Sequence, residues 1–431
     1  MNHSKYYTLS LTIITFIFFV FGFIIWVNGI LIPYFQICLE LTNFQASLVI
    51  FAANIAYFVM ALPSAWVLEK TKYKNGMVLG LLIMTIGTLM FIPAAYTRTY
   101  SLFLTGLFVT GTGLTLLQAA VNPYIAILGP IESTAQRVGF LGLANKSAGI
   151  FSVTVLGSIF LLKADDIIAK INTVNALEKA KILDEYALKI VNPYLIITGV
   201  LLLMALVIHF SKLPEIDDSK TEVEGVSVEI ESRDSVFQYP YLVLGVVTMF
   251  FASICEVIPV DSIIIYSRAI GLSIGDSRIY PVYALVAMLA GYLATIILIP
   301  KYISQHKTLQ FTAYWGILLS LGSYFTEGKT AILLVALMGF GTAMLWGTIW
   351  GLSMRGLGKY TKIGGAMILM GIIGGAILPL LFGKLVDINP QHPQNAILIM
   401  IPIYLVILCY GIWGYKLEYW KTKSNSFQHS N

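Results

Sequence analysis

The chain has 431 residues; 58% are apolar, 11% carry a formal charge, and the net charge is +5. Soluble domains run near half apolar and a quarter charged, so this composition argues against a soluble enzyme, a disordered protein or a nucleic-acid binder. Mean hydropathy is +0.82, and twelve membrane spans of about 20 residues each fit the length with short loops between them.

The first apolar run, 9–37, is too long for a secretory signal core and lacks a small-residue cleavage site, so it is expected to be a retained span carrying Asn28. The second, 44–67, carries Asn54 and Tyr57, and a basic turn from Glu69 to Lys74 separates it from the third, 76–95. The fourth, 101–128, holds Gly111-Thr112-Gly113, then Gln118 and Asn122, which lie four apart and share a helix face. The fifth, 138–162, puts Asn145 and Lys146 inside the membrane. In 163–190, Ile171, Val174, Leu177, Ala180 and Ile182 recur at helical spacing, which predicts a short external amphipathic helix. The sixth span is 191–211. The acidic stretch 212–236 reads as a cytoplasmic linker between an N-terminal bundle, 1–211, and a C-terminal bundle with its tail, 237–431.

The seventh span, 238–267, carries Glu256 and Asp261 on either side of Pro259. At 100° per residue the two acids are about 140° apart, so they do not share a face. The eighth, 279–300, carries Tyr283 and leads into a second basic turn, Lys301 to Lys307. The ninth is 309–325. The tenth, 330–354, places Trp346 and Trp350 four apart; the eleventh, 363–386, holds Gly374-Gly375 and Pro379; the twelfth is 395–415. Lipid offers no partner to backbone groups, so each span is expected to be helical, giving an all-α membrane protein. With the N-terminus inside, 16 of the 27 Lys and Arg fall in inner segments, 10 in outer ones, and Lys146 within a span. That bias predicts both termini in the cytoplasm. Cys38, Cys255 and Cys409 show neither disulfide nor metal spacing and read as core residues.

Two sets of six spans invite a search for a repeat. An offset of 228 places Gly111-Thr112-Gly113 on Gly339-Phe340-Gly341, Asn28 on Glu256, Gln118 on Trp346, Asn122 on Trp350 and Lys146 on Gly374. Parallel halves related by an axis along the membrane normal form the major facilitator fold: two pseudo-symmetric six-helix bundles of twelve transmembrane helices, with the site between them at the midplane.

An ionisable residue at mid-membrane costs about 2.5–3.5 kcal/mol on insertion scales, so it normally faces a cavity or a partner. Lys146 and Glu256 are expected to pair across the cavity and, with Asp261 nearer the outer end, are the candidate cation-coupling residues. Gln118 and Asn122 on one wall and Trp346 and Trp350 on the other suit a sugar, because amides bond hydroxyls and indole covers the apolar face of a pyranose. Asn28, Asn54, Tyr57, Asn145 and Tyr283 are further candidates for substrate contact. The competing reading of the amides is packing between helices, worth about 0.6 kcal/mol each. No His-Glu-x-x-His, no Gly-x-Ser-x-Gly and no paired catalytic aspartates are present. An enzyme, a cofactor and a metal site are therefore not expected.

Three strings add a family. Trp26-Val27-Asn28-Gly29-Ile30-Leu31-Ile32-Pro33-Tyr34 is one. The second is Leu117-Gln118-Ala119-Ala120-Val121-Asn122-Pro123-Tyr124 with Leu128-Gly129-Pro130. The third is Gly356-Leu357-Gly358-Lys359-Tyr360-Thr361-Lys362 running on to Gly374-Gly375-Ala376-Ile377-Leu378-Pro379. They resemble the fucose and glucose/galactose permease branch of the major facilitator superfamily. The resemblance implies monosaccharide import coupled to a cation, usually a proton, by a monomer in the plasma (inner) membrane. Fucose permeases carry an Asp after the first-span Asn and a Glu in span 4, where this chain has Gly29 and Gln118. Lys146 replaces a small polar residue, and Glu256 matches an acid often seen in span 7. A sodium-coupled symporter, and a carrier of an anionic metabolite held by Lys146, are the alternatives.

Overall fold

The structure, a computed structural model, describes residues 3–127, 134–211, 213, 233–299, 301–357, 360–389 and 391–420. Most of the acidic linker, Leu128-Gly129-Pro130, Gly358-Lys359 and the tail after residue 420 lie outside the described residues. So do the side chains of Asn122 and Arg137.

The first span is two helices, α1 (His3–Ile25) and α2 (Asn28–Leu39), separated at Trp26-Val27. Glu40 ends α2 in the left-handed conformation, φ 57°, returning its amide to Gln36. Thr42 and Gln45 then form a reciprocal capping box that starts α3 (Asn43–Leu89). α3 holds both the second and third spans. The expected basic turn is a continuation of helix, broken at Lys72, where φ is 62°. α4 (Phe91–Thr97) completes the third span, α5 (Tyr100–Ile127) is the fourth and α6 (Thr134–Leu161) the fifth.

The external segment is two helices, α7 (Ala164–Ile171) and α8 (Ala176–Ala187), rather than one. Its expected apolar face is also corrected. Leu177 is 85% exposed, and the side turned inward carries Leu183, Tyr186 and Ala187. Tyr186 and Ala187 are drawn in because their carbonyls accept from the Tyr34 hydroxyl at 2.9 and 2.7 Å. That hydroxyl is a partner outside the segment, which spacing within the segment does not encode.

α9 (Val191–Phe210) is the sixth span. The seventh is α10 (Pro240–Val257), a π-helical turn over Ile258–Ser262, and α11 (Ile263–Ala269). After α12 (Ile274–Ser277) come α13 (Tyr280–Leu298) and α14 (Gln305–Phe325), the eighth and ninth. The tenth is α15 (Gly328–Thr342) followed by α16 (Leu345–Ser353). The eleventh is α17 (Thr361–Met370), a 3-10 turn at Gly371–Ile373, and α18 (Gly374–Ile388). α19 (Met400–Ile412) lies in the twelfth.

Eleven stretches among the described residues are long and apolar enough to cross a membrane. α14 makes the twelfth. Its hydropathy is diluted by Thr308, Thr312, Ser320 and Ser323, all buried against neighbouring helices. Ser320 returns its hydroxyl to Gly316 O at 2.7 Å, and Thr308 to Ser304 O at 3.1 Å. Its outward side shows Phe311, Leu318 and Phe325, the pattern of a helix with lipid outside and polar groups satisfied inside.

The two sets of six spans pack alike. α5 and α15 begin 228 residues apart, at Tyr100 and Gly328. A Cβ on Gly111 would lie 2.4 Å from Ala53 O of the second span, and one on Gly113 2.4 Å from Gly80 O of the third. A Cβ on Gly339 would lie 2.6 Å from Ala284 O of the eighth, and one on Gly341 3.1 Å from the Trp315 ring of the ninth. The fourth and tenth spans are thus gripped by corresponding neighbours, and the offset read from the sequence is a packing offset. Gly113→Ala is expected to cost about 1–3 kcal/mol, as overpacking against backbone does. Gly341→Ala meets side-chain atoms first, at 3.1 and 3.2 Å, and should cost less, and thermal unfolding of both purified variants checks the order.

Between the sets, α6 packs on α13, α3 on α18, and α2 on the π turn. One face is tied shut. Asn43 Nδ2 donates to Asp387 Oδ1 at 2.5 Å and the Phe44 amide to Asp387 Oδ2 at 3.0 Å. Arg268 Nη1 donates to Gln36 Oε1 at 3.1 Å, and Arg278 Nη1 to Ser158 Oγ at 2.9 Å. The amides of Ile274 and Gly275 hold both oxygens of Asp165, at 3.1 and 2.8 Å. Of the cysteines, Cys38 and Cys255 are buried as expected, but Cys409 is exposed on α19, because apolar composition marks a lipid-facing position as readily as a core one.

Candidate functional site

Lys146, on α6, and Glu256, in the last turn of α10, meet across the two sets of spans with Nζ to Oε1 at 2.5 Å. The lysine side chain is 4% exposed and the glutamate 32%. Such a contact needs close backbones. A Cβ on Gly142 would lie 2.8 Å from the Tyr292 ring of α13, and one on Gly139 2.6 Å from Ile296, so small residues let α6 seat on α13. The ammonium has two further neighbours. It lies 3.6 Å from the centre of the Trp26 ring and 5.9 Å from that of Tyr292. An aromatic face attracts a cation more strongly when water is excluded.

Trp26 is itself held. Its indole N–H donates to Asn145 Oδ1 at 2.9 Å, Asn145 Nδ2 reaches Phe18 O at 3.4 Å, and a Cβ on Gly149 would lie 2.6 Å from the indole. The break between α1 and α2 places this ring, and Trp26 donates its amide to Gly22 O at 3.1 Å there. Asn145, expected to touch substrate, thus orients Trp26 in this conformation.

Glu256 opens on a small cavity bounded by Met249, Ser253, Tyr292, Thr342, Leu345 and Trp346. Trp346 and Trp350 are stacked, with ring centres 6.3 Å apart and planes 20° apart. The end of α15 at Thr342 aims this face: α16 restarts at Leu345, and Thr342 Oγ1 donates to Cys255 O at 3.1 Å.

The other wall is partly assembled. Gln118 is half-buried and donates from Nε2 to the buried Tyr57 hydroxyl at 3.2 Å, joining two candidates. Asn54 returns its amide to Ile50 O at 3.0 Å on its own helix. Asn28 is 8% exposed and lines a separate small void within the first bundle, with Ala53, Thr88, Thr110, Leu114 and Tyr194. That void is larger than the one at Glu256 but nearly all apolar, so it offers a polar ligand little. Tyr283 is 45% exposed and meets Tyr280 edge-on, with ring centres 6.0 Å apart. Asp261 is 4% exposed and lies beside Gly29, whose Cβ, were there one, would lie 3.1 Å from Oδ1.

Sequence reasoning missed Trp26 and Tyr292 as members of the site. For Trp26 a signal existed, since it stands two residues before Asn28; for Tyr292 the pattern of span 8 offers none. Among the described residues no group of His, Cys, Asp and Glu is arranged to hold a metal.

A broken first span, a broken seventh, and an ion pair from the fifth span to the seventh beside aromatic rings are the features of a carrier whose site lies where two repeats meet. Comparison with known proteins agrees. The model of the Major Facilitator Superfamily matches residues 14–379. The glucose/galactose transporter of Brucella abortus biovar 1 is 33% identical over 423 residues, 96% of each chain. The L-fucose-proton symporter of Escherichia coli K12 is 28% identical over 405 residues, 91% of this chain and 90% of that one. The crystal structure of the major facilitator transporter FucP in its outward conformation aligns with a TM-score of 0.71 and 26% identity, over 95% of this chain and 99% of that one. With two bundles packed alike around this site, the chain belongs to the major facilitator superfamily, in the branch of the fucose and glucose/galactose permeases.

Proposed function

We propose that this protein imports a monosaccharide in symport with a proton, by rocking its two six-span halves about the cavity at Glu256. A hexose such as glucose or galactose is the expected cargo, with fucose or an amino sugar next. The reading rests on one observation, the Lys146–Glu256 pair between the halves, set beside Trp346 and Tyr292. When Glu256 takes a proton, Lys146 loses its counter-charge and the interaction holding α6 to α10 weakens. A proton therefore changes the free-energy difference between the two states, as coupling requires. Names borne by the relatives, glucose/galactose transporter and L-fucose-proton symporter, support both the cargo and the ion.

Trp346 and Trp350 cover the sugar's apolar face, while Gln118, Tyr57 and Asn122 bond its hydroxyls. Asn28, Asn54, Asn145 and Tyr283 are assigned no direct contact in this conformation. The protein works as a monomer in the plasma (inner) membrane with both termini cytoplasmic, so the tied face is the outer one. An anionic cargo fits less well, because Lys146 already has a carboxylate and an aromatic face.

Uptake of a sugar panel into proteoliposomes, with pH and sodium gradients imposed separately, tests the proposal. Uptake driven by pH supports it, and uptake driven by sodium alone replaces the proton. Trp346→Ala should raise KM about tenfold, since an aromatic contact is worth roughly 0.5–1.5 kcal/mol beyond its area. The maximal rate should change far less; initial rates against sugar concentration show it.

A further inference from the structure

Asp261 has no part in the ion pair, yet it is the more deeply buried acid. It is 4% exposed, its Oδ1 has no hydrogen-bond partner, and the neighbouring Ser262 hydroxyl is also buried without one. Both sit in the π turn of the seventh span, against α2 of the opposite half. Two contacts locate the turn. Gly29 meets Asp261, and Gln36 bonds Arg268. The members of each contact are 232 residues apart, so α2 and the upper part of span 7 run side by side in one direction. Asp261 lies at the base of this seam, and Arg268 near the tied face. A side chain at position 29 would meet the Asp261 Cα at 2.9 Å, so the absence of a Cβ on Gly29 permits the approach.

We propose that Asp261 is a second proton site, distinct from Glu256, whose neutral form lets the outer seam close and whose ionisation opens it. An ionised carboxylate buried with one backbone amide beside it and no paired charge is disfavoured, so closure selects the neutral acid. The charged groups acting on Asp261 are Glu256 on α10 and Lys146 on α6. Those two already pair with each other. Arg268 on α11 is two turns away and bonded to Gln36, and Asp387 on α18 is bonded to Asn43 and Phe44. α2 presents the Gly29 amide. The two acids also differ in access within one conformation, Asp261 sealed and Glu256 a third exposed. Opening the seam separates α2 from span 7 and lets water and protons from outside reach Asp261. A proton entering from outside is therefore taken first at Asp261, and Glu256 serves the cavity.

This deepens the proton-coupled reading and rests on it for the direction of the two faces, but its test needs no sugar. Ser47 is fully buried where α3 meets Gly383 of α18 at the tied face. In a Ser47→Cys chain with Cys38, Cys255 and Cys409 changed to serine, a membrane-impermeant maleimide added outside reports opening. Below the titration of Asp261 the labelling rate, corrected for the reactivity of a free thiol, should rise about tenfold per pH unit. Asp261→Asn should flatten that slope, and Glu178→Gln, at an exposed acid on α8, should keep it. An unchanged slope in Asp261→Asn, or its loss in Glu178→Gln, overturns the proposal. So does labelling that follows external sodium at fixed pH. Should Asp261→Asn fail to fold, Gly29→Ala serves. Its Cβ forces the seam apart, so labelling should be fast at every pH, and a seam that stays shut and pH-dependent is the contrary result. An intact slope without sugar uptake would count against the transport reading alone.

Discussion

Glu256→Gln is expected to abolish uphill accumulation of sugar while leaving sugar-for-sugar exchange intact. A proton moving down 100 mV supplies about 2.3 kcal/mol. At about 1.4 kcal/mol per decade, that sustains a sugar gradient of roughly 50-fold. A glutamine keeps the size and the hydrogen bonds of the side chain but carries no proton, so the halves still rock and the gradient falls to unity. Accumulation ratios and counterflow in the same proteoliposomes separate the two activities. Full accumulation by the variant would remove Glu256 from the mechanism.

Lys146→Met is expected to lower stability. Removing one member of a buried ion pair costs about 3–5 kcal/mol, because the other charge is left without compensation. The loss should fall toward the lower end, since Glu256 retains 32% exposure. Adding Glu256→Gln to Lys146→Met should return most of it, because the orphaned charge is then gone. Thermal unfolding of the parent, both single variants and the double variant yields the coupling directly. Additive losses would mean that the pair, though 2.5 Å apart, contributes nothing to holding the halves.

Much of the architecture is legible in the sequence. The apolar runs mark the spans because lipid satisfies no backbone group. The 228-residue offset reappears as equivalent glycine contacts on α5 and α15. Lys146 and Glu256 stand out because a charge in an apolar run needs a partner. What failed did so for identifiable reasons. The spacing within the external segment does not show its buried side, which is chosen by Tyr34, 152 residues from Tyr186. Asn28, a further candidate for substrate contact, lines a different void beside the break at Trp26-Val27.

Composition and periodicity by themselves determined that this is a twelve-span membrane protein of two related halves, and which charges within it need partners. These are properties of each segment in lipid, where insertion free energy is nearly a sum over residues. Only the tertiary structure decided that Trp26 and Tyr292 join Lys146, that Asn145 orients an indole, and that Asp261 abuts Gly29. An aromatic or a glycine costs lipid much the same on either side of a helix. Its role is set by which helix packs against it, and that follows from the simultaneous fit of all twelve.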